Sequence, residues 1–154
     1  MGAMEAYFSG DIKRINHARK VTEYAEKLLE PEGGEYSVII GASVLHDIGI
    51  HTAESKYGST AGKYQEIEGP PIARQILVGL GFELNQIEEI CEIIAHHHSP
   101  GKIATQNFKI LYDADWLVNL RDEYDIQDKN KLSSIIDKVF LTRSGQALAR
   151  ETYL

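Results

Sequence analysis

The sequence predicts an all-α protein, a compact bundle of about six helices in a single domain spanning residues 1–154. Three observations carry that expectation. Apolar residues recur at three- and four-residue steps through most of the chain, the period of one helix face. No stretch sustains the every-other-residue alternation of a half-buried strand. The 154 residues, 43% apolar and 25% charged, have the size and make-up of one globular domain with a sizeable core.

The first predicted helix runs from about Asp11 to Glu30, with Ile15, Ala18, Val21, Ala25 and Leu28 on one stripe. Pro31-Glu32-Gly33-Gly34 is its stop. Glu35 to about Asp47 is apolar around most of its circumference, which predicts a buried helix with Gly49 as its C-cap. His51 to Lys63 is polar and rich in small residues, and reads as a long surface loop of the kind that often carries function. Pro70-Pro71 suit the first turn of a helix reaching about Leu80, because an N–H there would have no partner anyway. Glu83 to His98 has the clearest stripe, Ile87, Ile90, Cys91, Ile94 and His98, and stops at Ser99-Pro100-Gly101. Thr105 to about Asp122 follows, with Ile110, Leu111, Ala114, Leu117 and Val118 inward, and a last helix is predicted from about Asn130 to Thr152.

The bulk numbers exclude some functions. A net charge of −7 argues against nucleic-acid backbone as a bulk partner, since such binding rests on basic surface. The single cysteine, Cys91, has no internal disulfide partner, which points to a reducing, cytoplasmic setting. No apolar run approaches the roughly 20 residues of a membrane span, so no membrane partner is expected.

The chemistry must sit on polar groups in unusual places. His17 leans toward the core side of the first helix, where a histidine is more often a hydrogen-bonded structural residue than a ligand. His46 and Asp47 end the buried helix. Adjacent side chains diverge by about 100° on a helix, so both reach one point only near an end or bend, which glycine at 49 permits. A buried Asp47 needs a positive partner, and a divalent cation serves best; the alternative is an Asp47 in solvent or paired with lysine or arginine. On the next stripe, helical geometry puts His98 within about 30° of the apolar direction, His97 about 70° away and His96 on the opposite side. His97 and His98 are therefore the inward candidates, and imidazole is a common ligand for transition metals. Asp113 and Asp115 flank the inward stripe of their helix on opposite sides, and periodicity does not choose between them. Competing motifs are absent: Gly79-Leu80-Gly81 lacks the lysine and strand of a phosphate loop, and Ser43 and Ser99 have no nucleophile-elbow context.

These residues, in this order, resemble the HD-domain superfamily of metal-dependent phosphohydrolases. The family pattern is a histidine on an early helix, a His-Asp pair closing a buried helix and a late aspartate, carried by a bundle of five or more helices. His17, His46-Asp47 and the segment DADWLVNLRD fit it, and Ala114-Asp115-Trp116-Leu117-Val118-Asn119 is similar to the family's Ala-Asp-x-Leu-x-Asn. The resemblance implies His17, His46, Asp47 and Asp115 as metal ligands, with Asp113 in an outer role or as a proton carrier. It implies His97 and His98 as catalytic groups or as ligands of a second metal. The two-metal members carry one more histidine where this chain has Gln65, and Glu66, Glu68 or His51 is the nearest replacement.

The function so implied is hydrolysis of a small phosphomonoester or a nucleotide-type phosphodiester by a metal-activated water, with Asp47 central to it. The mixed histidine–carboxylate set suits Fe, Mn, Ni or Co better than Ca, and accommodates Mg or Zn. Lys102 and His51 are the expected substrate contacts. A homodimer is compatible with this reading. The rival readings are an HD-fold di-iron oxygenase and a non-catalytic metal-binding signalling module.

Overall fold

The computed structural model describes residues 1–154 and is all-helical. Nine helices follow one another: α1 (Gly2–Phe8), α2 (Ile12–Glu32), α3 (Tyr36–Leu45), α4 (Ile50–Tyr57), α5 (Gly62–Gly79), α6 (Leu84–His96), α7 (Gln106–Glu123), α8 (Lys129–Val139) and α9 (Arg143–Tyr153). No helix is long and apolar enough to cross a membrane.

The class is the expected one, and the extra helices have physical reasons. The segment expected as a loop from His51 to Lys63 is half helix. α4 buries only Ile50 and Ala53, too few apolar positions for a period to register, and it ends at Gly58 in the left-handed conformation (φ 64°). The expected last helix breaks in two at Phe140, because Thr142 caps α9 by accepting the N–H of Gly145. α1 was not foreseen, yet its Met4 and Phe8 are core residues.

The prolines overturn another expectation. Pro70 and Pro71 lie in the middle of α5, not in its first turn. Interior proline typically costs about 3 kcal/mol, through a lost hydrogen bond and a clash with the preceding turn. Packing outweighs that here. α5 buries Gln65, Gly69, Ala73 and Leu77, one residue per turn, against its neighbours. Propensity is a weak prior where a whole face is buried.

α2 packs on both α3 and α7, α3 on α6, and α6 on α5, so α3 is enclosed. Its Val38, Ile39, Ala42, Val44 and Leu45 are buried, and Ser43 satisfies its own hydroxyl by donating to the Ile39 carbonyl at 2.7 Å. α2 and α7 run antiparallel. Gln106 at the start of α7 donates to Glu32 at the end of α2, while His17 and Asp115 meet further along.

Gly49 has a different role from the one read in the sequence. Its φ of −82° is open to any residue, so no special bend requires glycine. A Cβ there would stand 2.5 Å from the Gly69 nitrogen and 3.0 Å from the Gln65 carbonyl oxygen. Glycine is needed because the chain after α3 touches the backbone of α5.

Gly49→Ala is expected to destabilise the protein by roughly 2 kcal/mol, since backbone on both sides cannot yield. Denaturant unfolding checks this, and a stability within 0.5 kcal/mol of the parent would refute the close-approach account.

Candidate metal centre

α3 stops at Leu45. Residues 46–49 form a turn closed by the Ile48 N–H on the Leu45 carbonyl at 3.1 Å and the Ile50 N–H on the Asp47 carbonyl at 3.0 Å. Leaving the helix is what lets two neighbouring side chains face one point. His46 Nε2 lies 3.3 Å from Asp47 Oδ2.

His17 from α2 and Asp115 from α7 arrive at the same point. His17 Nε2 is 3.0 Å from Asp115 Oδ1, 3.2 Å from His46 Nε2 and 3.3 Å from Asp47 Oδ2. His46 Nε2 is 3.3 Å from Asp115 Oδ1. Four side chains from three parts of the chain thus crowd their donor atoms together, with His46 fully buried. On the far side of Asp47 stands His97, whose Nε2 is 3.3 Å from Asp47 Oδ1. Ligand atoms of Asp47, His97 and His98 form a second group within 4.8 Å of one another.

The donor chemistry fits a cation. His46 Nδ1 donates to the Ser43 carbonyl at 2.8 Å, and His97 Nδ1 to the Ile94 carbonyl at 2.6 Å. A carbonyl only accepts, so both hydrogens are committed to Nδ1. Each neutral ring then turns the lone pair of Nε2 toward carboxylate oxygens. Lone pairs facing lone pairs repel unless a positive charge stands between them. The backbone carbonyls also fix each ring's tautomer and orientation, the usual outer support of a metal-binding histidine.

The α6 end corrects the order read from periodicity. His97 is buried and His98 is the more exposed, because α6 ends at His96 and the turn beyond it no longer advances by 100° per residue. The His98 ring packs against Gly62, where a Cβ would stand 2.7 Å from its Cγ. Its Nε2 donates to the Gln65 amide oxygen at 3.3 Å. Burial, and then the neighbouring His97, push the imidazole down to about 4, so it is neutral at pH 7. Gln65 also donates Nε2–H to the Thr60 carbonyl at 2.7 Å. None of the three expected replacements lines the cavity: Glu66 accepts from the His98 N–H and the Ser99 hydroxyl, Glu68 accepts from Lys56, and His51 bonds Asp11.

Three expected site residues stand elsewhere. Asp113 faces the junction of α8 and α9, where it accepts from the Leu141 N–H, the Thr142 N–H and the Thr142 hydroxyl at 2.9, 2.8 and 2.6 Å. Burial pushes its carboxyl up to about 6, a value that would suit a proton carrier, but the carboxylate is closed off from the cluster behind its own helix. His51 lies on α4 and bonds Asp11 Oδ2 at 2.7 Å, its ring edge-on to Phe8. Lys102 borders a separate shallow groove with Glu88, Glu89 and Glu92.

The cluster opens into a cavity of about 520 Å³, with His17, Asp47 and Asp115 at its floor. Lys13, Arg14 and Lys20 of α2 line one side, and Asn119, Asp122 and Glu123 of α7 the other. Sequence reading missed these residues, although a signal existed. Lys13, Arg14 and Lys20 lie at −4, −3 and +3 from His17, and Asn119 and Asp122 at +4 and +7 from Asp115, the spacings that share a helix face.

A family model for the HD domain matches residues 14–120. The chain belongs to the HD domain family. A solved structure, a predicted HD superfamily hydrolase from an uncultured Thermotogales bacterium, matches with a TM-score of 0.71 at 25% identity. The match covers 97% of this chain and 80% of that one. No curated protein matches the chain. The matched span holds every residue of the cluster, including the chain's one His-Asp dipeptide, His46-Asp47.

In the metal-free protein a proton stands in for part of the cation. Burial would push the His46 imidazolium down, but Asp47 and Asp115 outweigh it and hold the group well above its ordinary 6.5. Burial would raise Asp47, but His46 and then His97 hold its carboxyl well below its ordinary 3.8. Protonated His46 therefore stabilises the metal-free fold below about pH 6.5, and that contribution is lost as pH rises through its folded value. Ionised Asp47 stabilises the fold above about pH 3.8, and that contribution is lost as pH falls.

His46 and Asp47 are thus expected to add most to the melting temperature of metal-free protein between about pH 4 and 6.5, whereas His98, whose neutral ring favours the fold above about 6.5, ceases to do so as pH falls through about 4. Mn²⁺ must displace the His46 proton, so its affinity is expected to rise with pH and its uptake to release protons. Calorimetry in buffers of different ionisation enthalpy measures that release; uptake without proton release, at one affinity from pH 5 to 8, would contradict this account of the cluster.

Proposed function

We propose that this HD domain is a metal-dependent phosphohydrolase acting on a small phosphoester through a metal-activated water. One observation carries the reading: a cation-ready cluster of His17, His46, Asp47 and Asp115 exposes His17, Asp47 and Asp115 at the floor of a cavity with three basic side chains on one wall. The family supports it, and so does the hydrolase name borne by the matching Thermotogales structure. Its volume, about 520 Å³, lies within the ~300–1,000 Å³ range of small-molecule sites.

His17, His46, Asp47 and Asp115 would hold a divalent ion, Mn, Fe, Co or Ni before Mg or Zn, which would supply a water of lowered pKa and positive charge for phosphoryl oxygens. The chain's own residues do the rest. Arg14 is half-buried and offers a planar fork that matches two phosphoryl oxygens, and Lys13 and Lys20 add point charges on the same wall. Asp47 reaches both halves of the cluster, Oδ2 toward His17 and His46 and Oδ1 toward His97. It can stay in the ligand set through one oxygen and orient the attacking water with the other. His97 and His98 close the side next to Asp47, where they serve a second cation or the phosphoryl group.

The rival readings draw less support. A di-iron oxygenase of this fold uses one more histidine, and Gln65 fills that place with an amide already bonded to Thr60 and His98. A binding module that had lost catalysis would have no need of the full ligand set.

The test is elemental analysis of protein purified without chelator, joined to a phosphatase and phosphodiesterase panel with Mn, Ni, Co and Mg. Asp47→Ala is expected to lose bound metal and at least 10³-fold in activity, an order of magnitude typical of removing a group central to the transition state. Full activity in that variant, or no turnover of any phosphoester by metal-replete protein, would sink the proposal.

A further inference from the structure

The cavity walls carry charges at the unfavourable ends of their helices. Lys13 and Arg14 sit in the first turn of α2, where the helix dipole favours acids, and that turn holds no acidic residue. Asp122 and Glu123 sit in the last turn of α7, where it favours bases. Because α2 and α7 run antiparallel, the two misplaced sets face one cavity. None of Lys13, Arg14, Lys20, Asp122 or Glu123 makes an ion pair within the protein. Asp11 caps α2 and Arg121 shares the last turn of α7, but neither forms an ion pair with these side chains, so the helix ends leave both sets without a bound partner. Departures of this kind gather where a ligand supplies the missing partner.

The cavity is also polar. Ile50 is its one apolar side chain, and no Phe, Tyr or Trp lines it. A nucleobase is a large flat apolar face, and proteins that hold one stack it on aromatic rings or sandwich it between apolar side chains. The only rings this cavity offers are the imidazoles of His17, held in the cluster, and His98, packed against Gly62 and 4.0 Å from the His97 ring, and no apolar side chain stands opposite either. The cavity offers carboxylates and amides, from Asp122, Glu123, Asn16 and Asn119, opposite the cationic wall. Carboxylate oxygens accept from hydroxyls, and amides donate and accept.

Resting on the phosphohydrolase reading above, we infer that the substrate class is a phosphorylated polyol or sugar rather than a nucleotide. The phosphate lies at Lys13, Arg14 and Lys20, beside the cluster. The hydroxyl-bearing carbon chain extends toward Asn119, Asp122 and Glu123. Hydrolysis at this site breaks the P–O bond to the sugar oxygen, water supplies the oxygen that joins phosphorus, and the sugar leaves as an alcohol after taking up a proton.

Binding tests this without turnover. Mn²⁺-loaded protein is titrated by calorimetry with glucose 6-phosphate, glycerol 1-phosphate, adenosine 5′-monophosphate and inorganic phosphate. At least one of the two polyol phosphates is expected to bind at least tenfold more tightly than inorganic phosphate or the nucleotide. The pair Asp122→Asn and Glu123→Gln, both exposed and at a helix end, is expected to bring that affinity down to the level of inorganic phosphate. Nucleotide binding as tight as, or tighter than, that of both polyol phosphates would overturn the inference, as would an undiminished preference in the double variant. Preferential polyol phosphate binding without hydrolysis of any ester would overturn the phosphohydrolase reading and leave the polyol phosphate as the ligand of this cavity rather than its substrate.

Discussion

Asp47 lies 3.3 Å from three imidazole nitrogens and Asp115 3.3 Å or less from two, and both carboxylates are largely buried at the floor of the cavity. That crowding is the constraint on which the rest of the structure depends. Isolated buried carboxylates are strongly unfavourable, and two of them beside imidazole lone pairs are tolerable only with positive charge in their midst. In the bare chain a proton on His46 supplies some of it. A divalent cation supplies more, without tying up a ring nitrogen as a donor.

The surrounding fold is built to keep these groups from moving apart. α3 is enclosed by α2, α6 and α7, so its C-terminal end has little freedom, and His46 and Asp47 inherit that rigidity. The turn after it is wedged against α5, where Gly49 meets Gly69 backbone to backbone. His17 comes from the second turn of α2 and Asp115 from the middle of α7, two long antiparallel helices, rather than from loops. A site held by helix interiors and a buried turn is set to the sub-ångström tolerance that metal geometry demands. Asp113 contributes at one remove. It ties the α8–α9 junction to α7 and so braces the helix that presents Asp115 on another face.

Much of this was legible in the sequence because it is written in helical period. The stripe Ile15, Ala18, Val21 places α2, and the apolar run before His46 marks α3 as buried. The His-Asp pair at its end stood out because apolar burial and ionisable groups conflict. What was illegible depended on contacts between distant residues. The prolines of α5 obey no local rule, since only the packing of Gln65, Gly69, Ala73 and Leu77 keeps that helix intact. Asp113 and Asp115 look alike from their own helix, and only the partners across from them, Thr142 for one and His17 for the other, tell them apart. His97 and His98 changed places because extrapolating a helix past its last residue fails. The charged walls went unread although their spacing from His17 and Asp115 was available, because solvated charges on a helix are commonplace until a cavity is known to lie between them.

Charge balance bears on how many cations this chain can hold. With neutral imidazoles, Asp47 and Asp115 carry two negative charges, which one divalent ion cancels. A second ion beside His97 and His98 would find only the shared Asp47 carboxylate, since Gln65 is neutral and Glu66 is held by the His98 N–H and Ser99. Its charge would go unmatched until a phosphate arrived with two of its own. The basic wall would add to that deficit, because Lys13, Arg14 and Lys20 make no ion pair and outnumber Asp122 and Glu123 across the cavity. In a protein of net charge −7, a cavity whose two inner carboxylates were cancelled by a divalent ion would be left with three basic side chains against two acidic ones, and under the proposed function a phosphoester would supply the missing negative charge.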